Sequence, residues 1–329
     1  MKVQHIIGAD ISKTTIDLVY HLSGCHLCIG NTPNGFEQML KWIEHQNIAL
    51  AQTMIVMEHT GLYSFCFEEF LHSHQVVFTK VSALAIKRSL GLVRGKSDKI
   101  DAARIAAYGF EKKDRLNPDL PVDKAFKSLQ LLYVARERMV RQRAAFISVI
   151  KEYKNINIPD TDILIRSQLQ LIKGFDVQIQ KVEDRIRLII DQQEQLKKNF
   201  CLLQSIKGVG KVLALAAIIK THNFSRFANA RKFACFCGTA PFEHTSGSSV
   251  RGRTKVSPLA DKQMKTLLDL SAKSAIQNDK ELKAFYLRRT ENGKSKMSTI
   301  NIVRNKILYR MFAVIKRQTP FVDNYLLVA

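Results

Sequence analysis

The chain is short of negative charge. Its 329 residues hold 29 Asp and Glu against 51 Lys and Arg, a formal net charge of +22. Long hydrophobic runs are missing as well: the longest, Val212 to Ile219, is far too short to cross a bilayer, which excludes a spanning helix of the usual length. Cysteines in metal-binding arrays are also absent. The six fall at 25, 28, 66, 201, 235 and 237, and Cys25-x-x-Cys28 has no second CxxC or HxxxH to complete a four-ligand zinc site. They read as reduced thiols. No signal-peptide core follows Met1-Lys2-Val3-Gln4-His5, so the expected compartment is the cytoplasm, with no membrane partner.

What is present is ordinary globular material: 46% apolar and 24% charged residues, which excludes a disordered chain. The length suits about two domains of roughly 150 residues. Charge is unevenly spread. Residues 1–200 carry 28 basic and 22 acidic groups, whereas 201–329 carry 23 and 7. So steep a gradient points to a polyanion, most simply nucleic acid. An anionic membrane is the weaker reading, because no amphipathic basic helix stands alone at a terminus.

The first 80 residues alternate between strand and helix patterns. His5 to Ile11, Thr14 to His21, Met54 to Met57 and Val76 to Phe78 read as strands. Phe36 to His45 and Tyr63 to His72 read as helices. Continuously apolar strands of this kind imply a mixed α/β sheet covered on both faces. Ser97 is the expected N-cap of a further helix, and Asn117-Pro118 with Leu120-Pro121 marks a boundary. Residues 124–200 read as a helical arm. In it Ile179, Val182, Ile186, Ile189, Gln193 and Leu196 form a 3–4 seam with one polar position, suited either to two long antiparallel helices or to dimerisation. Residues 201–329 read as a basic, mostly helical domain. Its opening Gly208-Val209-Gly210 turn is either a helix-hairpin-helix element that binds a phosphate backbone or a plain interhelical turn.

Four carboxylates stand out. Asp10 and Glu58 each end an apolar strand, and Asp98 and Asp101 share one side of the first turn of a helix. Gathered carboxylates are costly unless something positive pairs them, and a pair of Mg²⁺ ions clamping a phosphodiester is one physical reason to gather four. Each residue alone has a bland reading: Asp98 complements a helix dipole, and Asp10 caps a turn.

As a set, Asp10-Ile11-Ser12-Lys13, Glu58-His59-Thr60-Gly61-Leu62-Tyr63 and Asp98-Lys99-Ile100-Asp101-Ala102 resemble the signature of the DEDD insertion-sequence transposases, a family that includes the Piv-type DNA invertases. Phe227, Ala230-Arg231, Phe233-Ala234, Gly238-Thr239-Ala240-Pro241 and Ser246-Gly247-Ser248-Ser249-Val250-Arg251-Gly252 resemble that family's C-terminal domain. The resemblance implies a fold of class α/β plus α, with three parts. Residues 1–123 would form a ribonuclease-H-like, RuvC-like mixed-sheet domain, 124–200 a coiled-coil arm, and 201–329 the serine-bearing domain. It implies that Asp10, Glu58, Asp98 and Asp101 hold Mg²⁺, with Mn²⁺ as an alternative, and that Ser246 is the nucleophile forming a phosphoserine link to DNA. It also implies a structured guide RNA encoded by the element and a homodimer or homotetramer, in which one protomer's metal site can be completed by another's serine domain.

From the residues alone the serine is less sharply marked. A hydroxyl needs a base or a metal before it attacks phosphorus, and His244 to Ser249 reads as a polar loop in which Ser246, Ser248 and Ser249 are equal candidates, followed by Arg251, Arg253 and Lys255. Arg288, Arg289, Lys294, Lys296, Arg304, Lys306 and Arg310 read as phosphate contacts, with Phe285 and Tyr286 beside them as stacking platforms or core. One stretch departs from the family pattern: Val256-Ser257-Pro258-Leu259-Ala260-Asp261, with Met264-Lys265, replaces the usual Ser-Lys-x-Gly and Leu-Arg. The expected function is transposition. Its rivals are site-specific inversion by the same chemistry, a RuvC-like nuclease without a covalent intermediate, and a nucleic-acid-binding protein without catalysis.

Overall fold

The structure, a computed structural model, describes residues 3–59, 61–91, 95, 97–119, 123–155, 159–246 and 250–322, with backbone only at 244–246, 250, 251 and 253. The chain folds into two compact units, residues 1–122 and 123–329. Charge divides at the same point. The first unit carries 13 Lys and Arg against 12 Asp and Glu, the second 38 against 17. Among the described residues no helix is long and apolar enough to cross a membrane.

The first unit is a five-stranded mixed sheet. Its strands are β1 (His5–Ile11), β2 (Thr15–Tyr20), β3 (His26–Gly30), β4 (Thr53–Glu58) and β5 (Val77–Val81), in the order β3-β2-β1-β4-β5. The β1–β2 and β2–β3 pairs are antiparallel, while β1, β4 and β5 run parallel. Alternation along β1 sends Ile7, Ala9 and Ile11 into a core with α1 (Pro33–His45) and α2 (Phe65–Ser73). The intervening Ile6, with Met54 and Val56 of β4, packs instead against Ile105 of α4 (Asp98–Lys112). Strand β3, where the sequence shows only the CxxC, is the edge of this sheet.

Gly8 decides how closely α4 approaches. A Cβ at this position would lie 2.2 Å from the Ala102 carbonyl oxygen and 2.3 Å from the Ala106 nitrogen, so the helix backbone rests directly on β1. Ser97 caps the helix as its position in the sequence implies, its hydroxyl accepting from the Ile100 amide.

The second unit opens with the antiparallel pair α5 (Lys124–Tyr153) and α6 (Thr161–Gln192), tied by Arg136–Glu183 at 2.6 Å and by Arg143–Asp176. The expected seam does not continue to Leu196 as one helix. Gln193 is extended, with φ −116° and ψ 105°, and donates to Asp123, so the arm ends there and α7 (Glu194–Gln204) turns into the next layer. Helix α8 (Lys211–Thr221) is buried nearly all round. Around it and α7 lie α9 (Ala230–Phe236), α10 (Lys262–Asn278), α11 (Lys280–Glu291) and α12 (Lys296–Arg317). The Gly208 turn packs onto α10: its φ is +90°, and a Cβ there would sit 2.7 Å from the Ser271 carbonyl oxygen.

Of the stretch expected as a loop, His244 to Ser246 are strand, while Gly247 to Ser249 lie outside the described residues. β6 (Pro241–Ser246) and β7 (Val250–Val256) form a two-stranded antiparallel ribbon in which Ser246 is register partner to Val250. Cross-strand pairing between them outweighs the turn-like composition.

Candidate active site

The sheet's alternation assembles the acidic site. Asp10 follows Ile6 and Gly8 on the α4 side of β1, and Glu58 follows Met54 and Val56 on the same side of β4. Both lie at the carboxyl ends of neighbouring parallel strands, the end at which open α/β sheets bind ligands. Helix α4 begins over this end, and its first turn supplies Asp98 and Asp101.

The electrostatics register the gathering. Partial burial of Asp10, reinforced by the charges of Asp101, Asp98, Glu58 and Asp17, pushes its carboxyl up to about 6. Burial and then the Asp101 charge also push Glu58 upward. Asp101 holds a counter-ion in Arg104 at 2.9 Å, and that guanidinium also donates to the Gly95 carbonyl at 3.0 Å. Asp10 therefore feels the charge of each of the other three sequence-marked carboxylates. Among the described residues, however, no three His, Cys, Asp or Glu side chains stand close enough to ligate one ion together. Asp101 pairs instead with Arg104. The donor set, hard oxygens only, fits Mg²⁺ or Mn²⁺ in chemistry.

Sequence reasoning missed two neighbours. Asp17, 7% exposed on β2, is the register partner of Asp10. It bonds His26 Nε2 at 2.6 Å and accepts the Cys28 thiol at 3.8 Å. The only signal was a carboxylate inside an otherwise apolar strand. This arrangement also disposes of Cys25-x-x-Cys28 as a unit, because Cys28 engages Asp17 while Cys25 sits beyond the strand, and both are free thiols. Asn31, the second, joins the segments that follow β1 and β4, donating from one amide nitrogen to the Ser12 carbonyl at 3.0 Å and to the Tyr63 carbonyl at 2.9 Å.

In the second unit Ser246 closes β6, while Ser248 and Ser249 lie outside the described residues. Two of the expected phosphate contacts are corrected. Arg304 is buried and paired with Asp269, and Arg310 is held by Asp279 and Glu281, each at 2.6 Å. Their partners lie on or beside other helices, which a run of basic residues cannot reveal. Lys306 reaches Glu281 at 3.4 Å and lies 4.8 Å from the Phe285 ring centre. Arg288, Lys294 and Lys296 remain exposed. The departure from the family pattern is a packing solution here: Asp261 caps α10 through the Met264 amide and binds Lys220 at 2.8 Å, and Met264 is fully buried.

A carboxylate cluster at the strand ends of a mixed sheet, joined in one chain to a strongly basic helical unit, is the makeup of an enzyme acting on nucleic acid. Residues 7–153 match the family model for the DEDD transposases of the IS110 group, and residues 201–287 match that of the transposase IS116/IS110/IS902 family. The chain belongs to this transposase family and is a DNA recombination or transposition enzyme. It is similar to the pilin gene-inverting protein of Moraxella bovis, at 25% identity over 96% of this chain and 97% of the relative. The same protein of Moraxella lacunata matches at the same identity and coverage. The transposase for insertion sequence element IS1111A of Coxiella burnetii is 23% identical over 69% of this chain and 68% of that protein.

Proposed function

We propose that the chain cuts and rejoins DNA at a metal site formed by Asp10, Glu58, Asp98 and Asp101, with Ser246 as the attacking hydroxyl. The observation that carries this is the position of Asp10, at the carboxyl end of β1 and under the charges of the other three carboxylates. The order β3-β2-β1-β4-β5, with three antiparallel strands before two parallel ones, supports reading the unit as ribonuclease-H-like and RuvC-like. Bound Mg²⁺ or Mn²⁺ would offset the mutual repulsion and supply Lewis-acid stabilisation of the phosphodiester. In the step itself the Ser246 Oγ–P bond forms as a P–O bond of the scissile strand breaks, the hydroxyl proton passes to a base and the departing oxygen is protonated. Exposed Arg288, Lys294 and Lys296 would contact the DNA backbone. The turn between α7 and α8 is read as a further backbone contact, and the family resemblance adds a structured guide RNA and assembly into a homodimer or homotetramer.

Two biological settings suit this chemistry, transposition and programmed inversion. The full-length match to gene-inverting proteins favours inversion, while both family models carry the transposase name. The test is trapping: protein, Mg²⁺, labelled cognate junction DNA and a denaturing gel. A protein–DNA adduct absent from both Ser246→Ala and Asp10→Ala supports the reading. Cleavage without an adduct, undiminished in Ser246→Ala, replaces it with hydrolysis by a nuclease.

A further inference from the structure

The turn that follows Glu58 displays large apolar side chains. Leu62 is 64% exposed and Tyr63 is 49% exposed, an aliphatic side chain and an aromatic ring whose carbon surface gains nothing from water contact. Such exposure would be unremarkable on a loose loop, but this turn is tied at several points. The Phe65 amide donates to the Leu62 carbonyl at 3.2 Å, and the Ser64 hydroxyl donates to Glu68, itself anchored to Lys80 at 2.7 Å. The His59 amide donates to Val81 on β5.

The Tyr63 carbonyl takes the second bond of Asn31, whose same amide nitrogen serves Ser12, two residues past Asp10. Asn31 is in turn placed by its own amide, which donates to Thr14 at 2.8 Å. The backbone of Tyr63 is thus locked beside the end of β1 that carries Asp10. An apolar pair held rigidly next to the carboxylates has a pre-set geometry, and fixing it in advance lowers the ordering cost of a contact.

Resting on the reading of the carboxylates as the phosphodiester site, we propose that Leu62 and Tyr63 form a base contact, against which a nucleobase flanking the scissile phosphate stacks as it leaves the duplex. A phosphodiester held at Asp10 and Glu58 brings its neighbouring bases to the same end of the sheet. A phenol ring and a branched aliphatic side chain are the groups that stack on a base face or wedge between base steps. Neither adds charge, so the contact contributes affinity that salt does not screen. Asn31 serves it as a positioning residue, through the Tyr63 backbone.

The test uses the full-length protein with Ca²⁺ in place of Mg²⁺ and a branched DNA of mixed sequence carrying 2-aminopurine at the branch. Binding is followed by anisotropy and base environment by fluorescence. Tyr63→Ala is expected to weaken binding on the order of tenfold, to abolish the fluorescence change that marks stacking on the ring, and to leave the slope of affinity against salt unaltered. Tyr63→Phe should behave as wild type, and Leu62→Ala should show a smaller loss. Asn31→Asp keeps the shape but removes the donor, and should raise amide exchange at residues 61–64 while reducing the fluorescence change. Equal affinity and equal fluorescence in wild type, Tyr63→Ala and Leu62→Ala would overturn the proposal. Failure of the underlying reading looks different: wild-type protein would then not cleave DNA with Mg²⁺, or Asp10→Asn would cleave as well as wild type.

Discussion

Asp10 and Asp17 are register partners across the β1–β2 ladder, so the most strongly perturbed carboxyl of the acidic site has a second, nearly buried carboxylate directly beside it. Asp17 adds negative charge beside Asp10 and is itself held by His26 and Cys28. The pair sets two like charges side by side, a repulsion that a cation at the proposed site would offset.

Asp10→Asn should therefore stabilise the metal-free protein while destroying its activity. The folded carboxyl titrates near 6 against an ordinary 3.8. Its contribution to stability is complete below about pH 4 and is lost as pH rises through 6, leaving the repulsion fully in place at pH 7. In EDTA at pH 7.5, calorimetry should show the variant melting a few degrees higher, on the order of 2–5 °C. At pH 4 the difference should vanish. Mg²⁺ should raise the melting temperature of wild type more than that of Asp10→Asn.

His26→Ala should cost about 1–3 kcal/mol, because it leaves the buried Asp17 carboxylate without its closest partner. Urea denaturation reads the loss. Asp17→Asn removes the buried charge together with the need for that partner, so a double variant should recover part of what His26→Ala loses. If the double variant loses the full sum of the two single effects, the pair is not coupled.

Legibility followed the reach of the interactions involved. The cap at Ser97 and the first-turn position of Asp98 and Asp101 depend on residues within one helical turn, and the sequence displays them openly. Asp10 and Glu58 were visible because each closes a run of buried strand residues. What escaped depends on distant partners. Cys25 to Cys28 reads as a cysteine motif until β2 lies beside β3, and His244 to Ser246 read as part of a loop until β6 pairs with β7. Gln193 fits a heptad seam by spacing, yet its bond to Asp123 and extended backbone end the helix there. Asn31 carries no motif at all, since its role lies in two carbonyls contributed by other loops.

Gly8→Ala is expected to be severe. The new methyl would occupy the space of the Ala102 carbonyl and the Ala106 nitrogen, both backbone atoms of α4 that cannot turn aside. Overpacking of this kind costs about 3 kcal/mol or more when the backbone must move. Because α4 also carries Asp98 and Asp101, a variant that still folds should lose Mg²⁺-induced thermal stabilisation. Gly24→Ala, where nothing lies within 4 Å but φ is +68°, should cost only about 1 kcal/mol.

Among the basic residues of the second unit, two kinds should separate by experiment. Arg304 and Arg310 answer to Asp269 and to Asp279 with Glu281, so Arg304→Ala should destabilise the unit by about 3 kcal/mol. Burial opposes the ionised form of Asp269 and of Asp279. For Asp269 the Lys273 and Arg304 hydrogen bonds and charges outweigh it, and for Asp279 the Leu282 amide and Arg310 do, so both carboxyls titrate below their ordinary 3.8. Groups held down in this way stabilise the fold above about pH 4, and the contribution is lost as pH falls through their lowered values. Arg304→Ala should accordingly flatten the acid limb of a stability–pH curve. Lys294→Ala and Lys296→Ala, both exposed, should leave that curve alone and instead reduce the dependence of DNA affinity on salt by roughly one unit of log–log slope each. A salt slope that falls in Arg304→Ala without loss of stability would return that residue to the DNA surface.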